Sequence, residues 1–518
     1  MNGAQVIIKT AVNAGIKICF ANPGTTEMPL VEALDSVPGI KAVLGLFEGC
    51  CTGAADGYGR MAGLPALTLL HLGPGLANGL ANLHNAHRAN TPIVNIIGDH
   101  ASWHKSADAP LAMDIETLAS TIPGWQKTCT SLETLSRDTA NAISCAMKGQ
   151  VATLIVPQDL QWGECKNQTI CCPSFSYDPV NSDLIDQAAE ALKSNKKTLV
   201  ILGKNALRKD GLMKAARIQK ATGCDLLSDS FPAHAHIGKG LPSLKRIPYF
   251  PEQAIKELSP YASIILIGTK PIVSFFGYKD TSCQLISEDQ TVIRFNQGNL
   301  NLPEILDALI DRVGAPEMDH KKLTQSTDFS PLPSGNLTGG NICRILSALI
   351  PENAIVVEEA ITSGGAYSAI AANSSFHSLL TMTGGALGQG MACGTGAAFA
   401  CPDRPVISFL GDGAAMYTLQ SLWMHARDHL NITTLICANN SYDILKLEYH
   451  RAGNKPPGQN SNLLMNLDHP PVDWVKISEG MGVSAARVTS CELLKHKLEH
   501  ALNTPGPHLI QMDLLPRK

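Results

Sequence analysis

No stretch of the chain reaches 18 uninterrupted apolar residues, which excludes a membrane-crossing helix. A dominant charge is missing too: 41 Lys and Arg against 45 Asp and Glu leave −4. Nothing in that balance predicts a nucleic-acid or membrane-surface partner. The beginning lacks a signal peptide's charged start and unbroken apolar run, because Asn13, Gly15 and Lys17 interrupt it. Cysteine is sparse, 15 in 518 residues, with no CxxC pair. The adjacent pairs Cys50–Cys51 and Cys171–Cys172 suit neither a relaxed disulfide nor zinc. The cysteines therefore read as small buried hydrophobes of a reduced, cytoplasmic protein. The phosphate loop GxxxxGK[ST] is absent as well, which disfavours a nucleotide-binding module.

What is present supports large buried cores: 44% of residues are apolar and 17% charged. A length of 518 residues predicts roughly three domains. Over residues 1–168, apolar runs at Ile16–Phe20, Ala42–Leu46, Ala66–His71, Ile93–Gly98 and Ala152–Pro157 alternate with helical spacing at Met28–Leu34 and Leu76–Arg88. A linker follows at Thr169–Asn181. A second unit spans 182–323, with strands at Thr198–Gly203 and Ser263–Gly268 and helices at Ser182–Lys193 and Lys214–Ala221. After a polar stretch, Thr324–Gly340, a third unit (341–518) carries strands at Ala354–Glu358, Val406–Leu410, Thr433–Cys437 and His508–Met512. The fold class is α/β: three doubly wound parallel-sheet domains, with function expected at strand C-termini.

The most informative stretch is Gly411-Asp412-Gly413, followed after 25 residues by Asn439-Asn440. A strand ends at Leu410, a glycine turn presents Asp412, and Met416, Leu419, Leu422 and Ala426 predict an apolar-faced helix. That helix's N-terminus favours an anion. One carboxylate, the Asn440 amide oxygen and a main-chain carbonyl suit Mg²⁺, with diphosphate oxygens and water completing an octahedron.

This pattern resembles the thiamine diphosphate signature, and three further segments resemble the thiamine diphosphate decarboxylase/acetolactate synthase superfamily. They are Leu46-Phe47-Glu48-Gly49-Cys50 before Ala55-Asp56-Gly57-Tyr58, the turn Gly73-Pro74-Gly75-Leu76-Ala77-Asn78, and Gly384-Gly385-Ala386-Leu387-Gly388. The resemblance implies pyrimidine-binding, middle and diphosphate-binding domains, thiamine diphosphate and Mg²⁺. It implies cofactor contacts from Pro23, Glu48, Asn78, Thr362, Ser363, Gly385, Leu387, Gly411, Asp412, Gly413, Ala414, Asn440 and Tyr442. Metal ligands would be Asp412, Asn440 and the Tyr442 carbonyl. Glu48 would share a proton with the cofactor's ring nitrogen, and Leu387 would support the bent cofactor from below. Active sites would lie at the interface of a homodimer or homotetramer.

Within the superfamily, Asn22-Pro23-Gly24-Thr25-Thr26-Glu27-Met28-Pro29 and Leu70-His71 are similar to benzoylformate decarboxylase. That likeness assigns proton relay to His71 and substrate-carboxylate binding to Thr25, whose plain alternative is a helix N-cap. One departure stands out: Phe276 occupies the place of that enzyme's second histidine, and phenylalanine transfers no proton. His100 and His104, on a loop after the strand ending at Gly98, are alternative donors or simply solvated. Phe276, Ile444 and Leu445 are the substrate-pocket candidates. Acetolactate synthases bind FAD, but Ile201-Leu202-Gly203-Lys204-Asn205 has no dinucleotide-type glycine loop, so FAD is not favoured. The expected activity is decarboxylation of a small 2-oxo acid to an aldehyde. The alternatives are carboligation to an acyloin or acetohydroxy acid, or a catalytically silent scaffold subunit.

Overall fold

Unbroken aliphatic runs bury on both faces, and a parallel sheet covered by helices on each side is the structure that accepts them. The computed structural model describes residues 1–165, 170–318, 329–453 and 455–515. The expected domain limits at 168, 323 and 518, and parts of both expected linkers, lie outside the described residues.

The first sheet runs β2-β1-β3-β4-β6-β5, all parallel. Its strands are β1 (Ile18–Asn22), β2 (Lys41–Leu44), β3 (Ala66–His71), β4 (Ile93–Asp99), β5 (Gln126–Thr128) and β6 (Val151–Pro157). The chain leaves β1 in opposite directions toward β2 and β3, so a crevice opens at their C-terminal ends. Asn22 pairs with Leu70, and His71 with Gly98, which brings the segments after β1, β3 and β4 to one edge.

The second sheet, also parallel, is β10-β8-β7-β11-β12. It comprises β7 (Thr198–Leu202), β8 (Asp225–Ser228), β10 (Lys245–Arg246), β11 (Ser263–Ile267) and β12 (Thr291–Phe295). The third has seven strands: β17-β18-β16-β15-β13-β14-β9. Six are parallel: β13 (Ile355–Glu359), β14 (His377–Thr381), β15 (Val406–Gly411), β16 (Ile432–Ala438), β17 (Ser484–Val488) and β18 (His508–Asp513). The seventh, β9 (Ala235–Ile237), belongs to the middle stretch of sequence yet pairs antiparallel with β14.

The first and third sheets are joined by two small-residue helices, Glu48–Ala62 and Gln389–Ala400, which cross closely. A Cβ at Gly57 or Gly396 would overlap the facing backbone at Cys393 or Ala54, so both crossing points require glycine. Beside the crossing, Arg60 forms a forked, buried pair with Asp56 (Nε–Oδ1 2.8 Å, Nη2–Oδ2 2.6 Å). Its remaining N–H groups donate to the carbonyls of Thr381 and Ala233 and to the Thr383 hydroxyl. One guanidinium thus ties all three units together. Asp56→Asn should lower the unfolding free energy in urea by about 3–5 kcal/mol, because it strands a buried cation. A loss below about 1 kcal/mol would show the pair to be dispensable.

All fifteen cysteines are free, and most are buried. No helix among the described residues is long and apolar enough to cross a membrane.

Candidate active site

Two clusters form at strand C-termini. At the first-sheet edge, Glu48 opens the helix Glu48–Ala62 and is buried, with Oε2 accepting from Asn78 Nδ2 at 2.9 Å. Asn78 lies on helix Leu72–Ala89, so Gly73–Asn78 folds as the opening of a helix rather than as the expected turn. The backbone bends sharply just after His71: buried Leu72 sits at φ +52°. For a branched residue that conformation costs about 1–3 kcal/mol, a strain that concentrates at functional sites.

His71 Nδ1 meets Glu27 Oε2 at 2.8 Å and Thr26 Oγ1 at 3.1 Å. Glu27 is fully buried; it also accepts from Gly24 N–H at 2.7 Å and from the Thr26 hydroxyl at 2.5 Å. A carboxylate there favours the Nδ1–H tautomer and leaves Nε2 of His71 outside this network. Sequence reasoning missed Glu27, which reads as an ordinary helix-start acid. The one available signal was Gly98, whose missing side chain makes room for the Glu27 carboxylate. Thr25, the expected substrate-binding hydroxyl, is exposed at the start of a 3₁₀ turn (Thr25–Glu27), and no side-chain cap bond forms there. The hydroxyl beside His71 is that of Thr26. His100 and His104 meet edge to face, 5.3 Å between ring centroids.

At the third-sheet edge, the ends of β13, β15 and β16 enclose a cavity lined by Thr362, Ser363, Leu387, Asp412, Tyr442 and Ile444, among others. The Asp412 carboxylate is buried and accepts N–H bonds from Gly413 (2.8 Å) and Asn440 (2.7 Å). Burial pushes its carboxyl up to about 6 despite those donors. Asn440 adopts φ +52°, a left-handed conformation asparagine tolerates better than most residues, so the second Asn also serves the backbone. The Tyr442 ring lies against Gly413, where a Cβ would collide with it. The Tyr442 carbonyl already accepts from Leu445 N (2.9 Å) and Lys446 N (3.3 Å), so ligation would have to displace or share with the longer of these bonds.

The expected apolar-faced helix after Asp412 is interrupted. Four residues, Asp412–Ala415, give way to a 3₁₀ turn, Met416–Thr418, before Ser421–Arg427. Met416 is exposed as a result. In the 3₁₀ turn the Thr418 hydroxyl donates to the Gly388 carbonyl at 2.7 Å.

The oxygen-only donors fit a hard divalent cation. Among the described residues no cluster of three His, Cys, Asp or Glu could hold a metal, so Asp412 would need amide, carbonyl, phosphate or water oxygens to complete a coordination shell.

The loop carrying Leu387 is pinned on both sides. Asn85 donates to the Ala386 carbonyl (2.8 Å) and accepts its N–H (3.2 Å), while buried Glu359 accepts from Gly388 and Gly390 (2.8 and 2.7 Å) and Gln389 (3.3 Å). Those amides, at the N-terminus of helix Gln389–Ala400, favour the ionised carboxylate, but burial outweighs them and pushes Glu359 up to about 7 from 4.5. The folded chain therefore binds this proton more tightly than the unfolded chain. The stabilisation is complete below about pH 4.5 and is lost as pH rises toward about 7. Glu359→Gln should flatten that part of the stability–pH curve relative to wild type. Parallel curves in urea titrations across this window would refute the assignment.

Phe276 is 54% exposed, and Leu445 is exposed on helix Asp443–Arg451. Ile444 alone of the three pocket candidates lines the cavity.

The paired half-sites and three-sheet architecture define a thiamine-type enzyme, and the comparisons agree: the chain belongs to the thiamine pyrophosphate enzyme family. Residues 1–118 match "Thiamine pyrophosphate enzyme, N-terminal TPP binding domain", and residues 363–512 match its C-terminal TPP binding domain. Over 99% of both chains it is 42% identical to a Mycobacterium tuberculosis protein named provisionally as acetolactate synthase large subunit IlvX. It is 25% identical to benzoylformate decarboxylase of Pseudomonas aeruginosa over 96% of each. In fold it is similar to the thiamine diphosphate-dependent 4-hydroxybenzoylformate decarboxylase of Rhodococcus jostii, with TM-score 0.87, 22% identity and full coverage of both chains. The chain is accordingly a thiamine pyrophosphate-dependent enzyme of the decarboxylase/acetolactate synthase family.

Proposed function

We propose that the chain is a Mg²⁺-dependent lyase that breaks the C–C bond between the carboxylate and carbonyl of a small 2-oxo acid, giving CO₂ and an aldehyde. The observation that carries this reading is the pair of built half-sites: Glu48–Asn78 beside Glu27–His71, and Asp412 bonded to Asn440. A silent scaffold has no use for both.

Thiamine diphosphate, when bound, would supply a nucleophilic carbon for the ketone and an electron sink for the pair released with CO₂. Asp412, Asn440 and the Tyr442 carbonyl hold the cation that anchors its diphosphate, with Gly411, Gly413, Ala414, Thr362 and Ser363 around it. Glu48, through the carboxylate oxygen not bonded to Asn78, exchanges a proton with the cofactor's ring nitrogen. Leu387, with Gly385 in the same pinned loop, and Pro23 at the end of β1 bound the cofactor's rings. His71 moves protons through Nε2 to the substrate-derived part, and the Thr25 segment faces the substrate carboxylate. No step is assigned to FAD, since the loop after β7 turns through Lys204 at φ +48° rather than through paired glycines.

As the family resemblance implies, the chain would form a homodimer or homotetramer whose active sites join two copies. Carboligation is the second reading, favoured by Phe276, which offers no proton to quench the cleaved intermediate. We place the enzyme in the cytoplasm, in keeping with its free thiols. The test is a screen of 2-oxo acids with thiamine diphosphate and Mg²⁺, following CO₂ and identifying products by mass spectrometry. Aldehyde supports the lyase, ligated product the carboligase, and no CO₂ from any acid rejects both.

A further inference from the structure

Beside Asp412, the chain turns from the end of β13 into the short helix Ile361–Gly364. Ala360, Ile361, Thr362 and Ser363 all line the cavity there. Ile361 sits at φ +40°, a left-handed conformation that a β-branched residue avoids. Such a conformation persists only where its neighbours over-determine it. The neighbour here is Glu358, which is not itself in the cavity wall. Its Oε1 accepts from Ala360 N–H at 3.1 Å, and the Ile361 N–H reaches the same carboxylate. Gly364 leaves room for it: a Cβ there would lie 2.6 Å from Glu358 Oε1.

A carboxylate behind this turn repels any anion that the turn receives. The groups on its own unit do not offset it. Cys343, Cys437 and Tyr367 lie within reach of its charge, but burial pushes the ionisation of all three up, so they stay neutral. Glu359, beside it, is a second acid. The compensating cation comes from the middle unit. Arg246, on the edge strand β10, brings Nη1 to 4.0 Å from Glu358 Oε2. Both side chains are mostly buried, 21% and 11% exposed. Burial pushes the Glu358 carboxyl up, and Arg246 opposes that. At 4.0 Å the pair is a charge contact rather than a hydrogen bond. Arg246 therefore supplies potential, while the N–H bonds supply geometry.

We propose that Glu358 and Arg246 are positioning residues for the cofactor's diphosphate. Glu358 clamps the strained turn that presents Thr362 and Ser363, and Arg246 cancels the clamp's charge. The middle unit thereby sets the affinity of a site built by the third. The inference rests on the proposed placement of the diphosphate, so the experiment separates the two.

The full chain and its variants are titrated by calorimetry with thiamine diphosphate and with inorganic diphosphate, each with Mg²⁺, and a urea melt checks folding. Arg246→Met should weaken both probes about 10–100-fold, the usual cost of an outer partner at a metal site. Glu358→Gln keeps an acceptor oxygen for Ala360 N–H and should bind within about threefold of wild type. The double variant Arg246→Met/Glu358→Gln should return to within about threefold as well, because no charge is left to cancel. Glu358→Ala opens the clamp and should lose about tenfold even with Arg246 present. A merely structural role for Arg246 allows no such rescue. A double variant as weak as Arg246→Met therefore overturns the proposal, as does a loss confined to thiamine diphosphate. If Arg246→Met does not fold, the Glu358 variants decide: loss in Glu358→Ala but not in Glu358→Gln supports the clamp, and equal affinity overturns it. Wild-type binding that Asp412→Asn abolishes and Arg246→Met leaves unchanged overturns this inference alone. No binding of either probe by the wild-type chain overturns the placement of the diphosphate with it.

Discussion

Asp412→Asn yields a folded chain that no longer retains thiamine diphosphate. Its amide oxygen can still accept one of the two N–H bonds that Gly413 and Asn440 give the carboxylate. The charge that holds the cation is gone. Removing an outer partner of a bound metal commonly costs 10–100-fold in affinity, so losing a direct ligand should cost more than about 100-fold. Without added Mg²⁺, stability should move little, because losing a charge buried at 3% exposure offsets the N–H bond given up. Asn440→Ala should weaken retention similarly, with a further cost because alanine fits poorly at φ +52°. The measurement is cofactor titration by calorimetry at fixed Mg²⁺, with a urea melt of each variant. Wild-type affinity in Asp412→Asn would remove Asp412 from the site.

Glu48→Gln should bind cofactor normally and turn over about 10²–10⁴-fold more slowly. The glutamine carbonyl can still accept from Asn78, which places NH₂ where the free carboxylate oxygen stood. An amide can approach a ring nitrogen but cannot exchange a proton with it. Exchange of the bound cofactor's C2 hydrogen for deuterium, read by NMR after acid quench, should slow with it. His71→Ala should leave that exchange fast and slow only later steps. Exchange at the wild-type rate in Glu48→Gln would strip the glutamate of its role, and blocked exchange in His71→Ala would show the two roles to be reversed.

Much of the scaffold was legible because local signals agreed. The strand at Ala66–His71 and the helix at Ser182–Lys193 appear at their expected limits, each carrying one unambiguous periodicity. Strands whose burial comes from neighbours were not legible. β17 (Ser-Ala-Ala-Arg-Val) has two polar residues in five and buries only Val488, and β9 is three residues long with a histidine at its centre. The Gly411–Gly413 and Asn439–Asn440 motifs stood out because chemistry constrains them at a fixed spacing. Glu27 did not, since its burial is created by Gly98, 71 residues away in sequence. The run predicted as one helix after Asp412 is a different case. Its apolar spacing was real, but a 3₁₀ turn at Met416–Thr418, where Thr418 bonds the Gly388 carbonyl, interrupts it.

The strand that the middle stretch lends to the third sheet has a consequence for dissecting this chain. β9 covers the open side of β14, pairing at His377, Ser378 and Leu379. A fragment beginning after the middle unit would carry all the Asp412 machinery but leave β14 as a bare ladder of unpaired amides and carbonyls. Exposed edges of that kind recruit other chains. Such a fragment should precipitate or swap strands, whereas one supplied with a tethered Ala235–Ile237 segment should stay soluble. The connectors in the sequence are therefore poor places to cut, because the modules share a sheet.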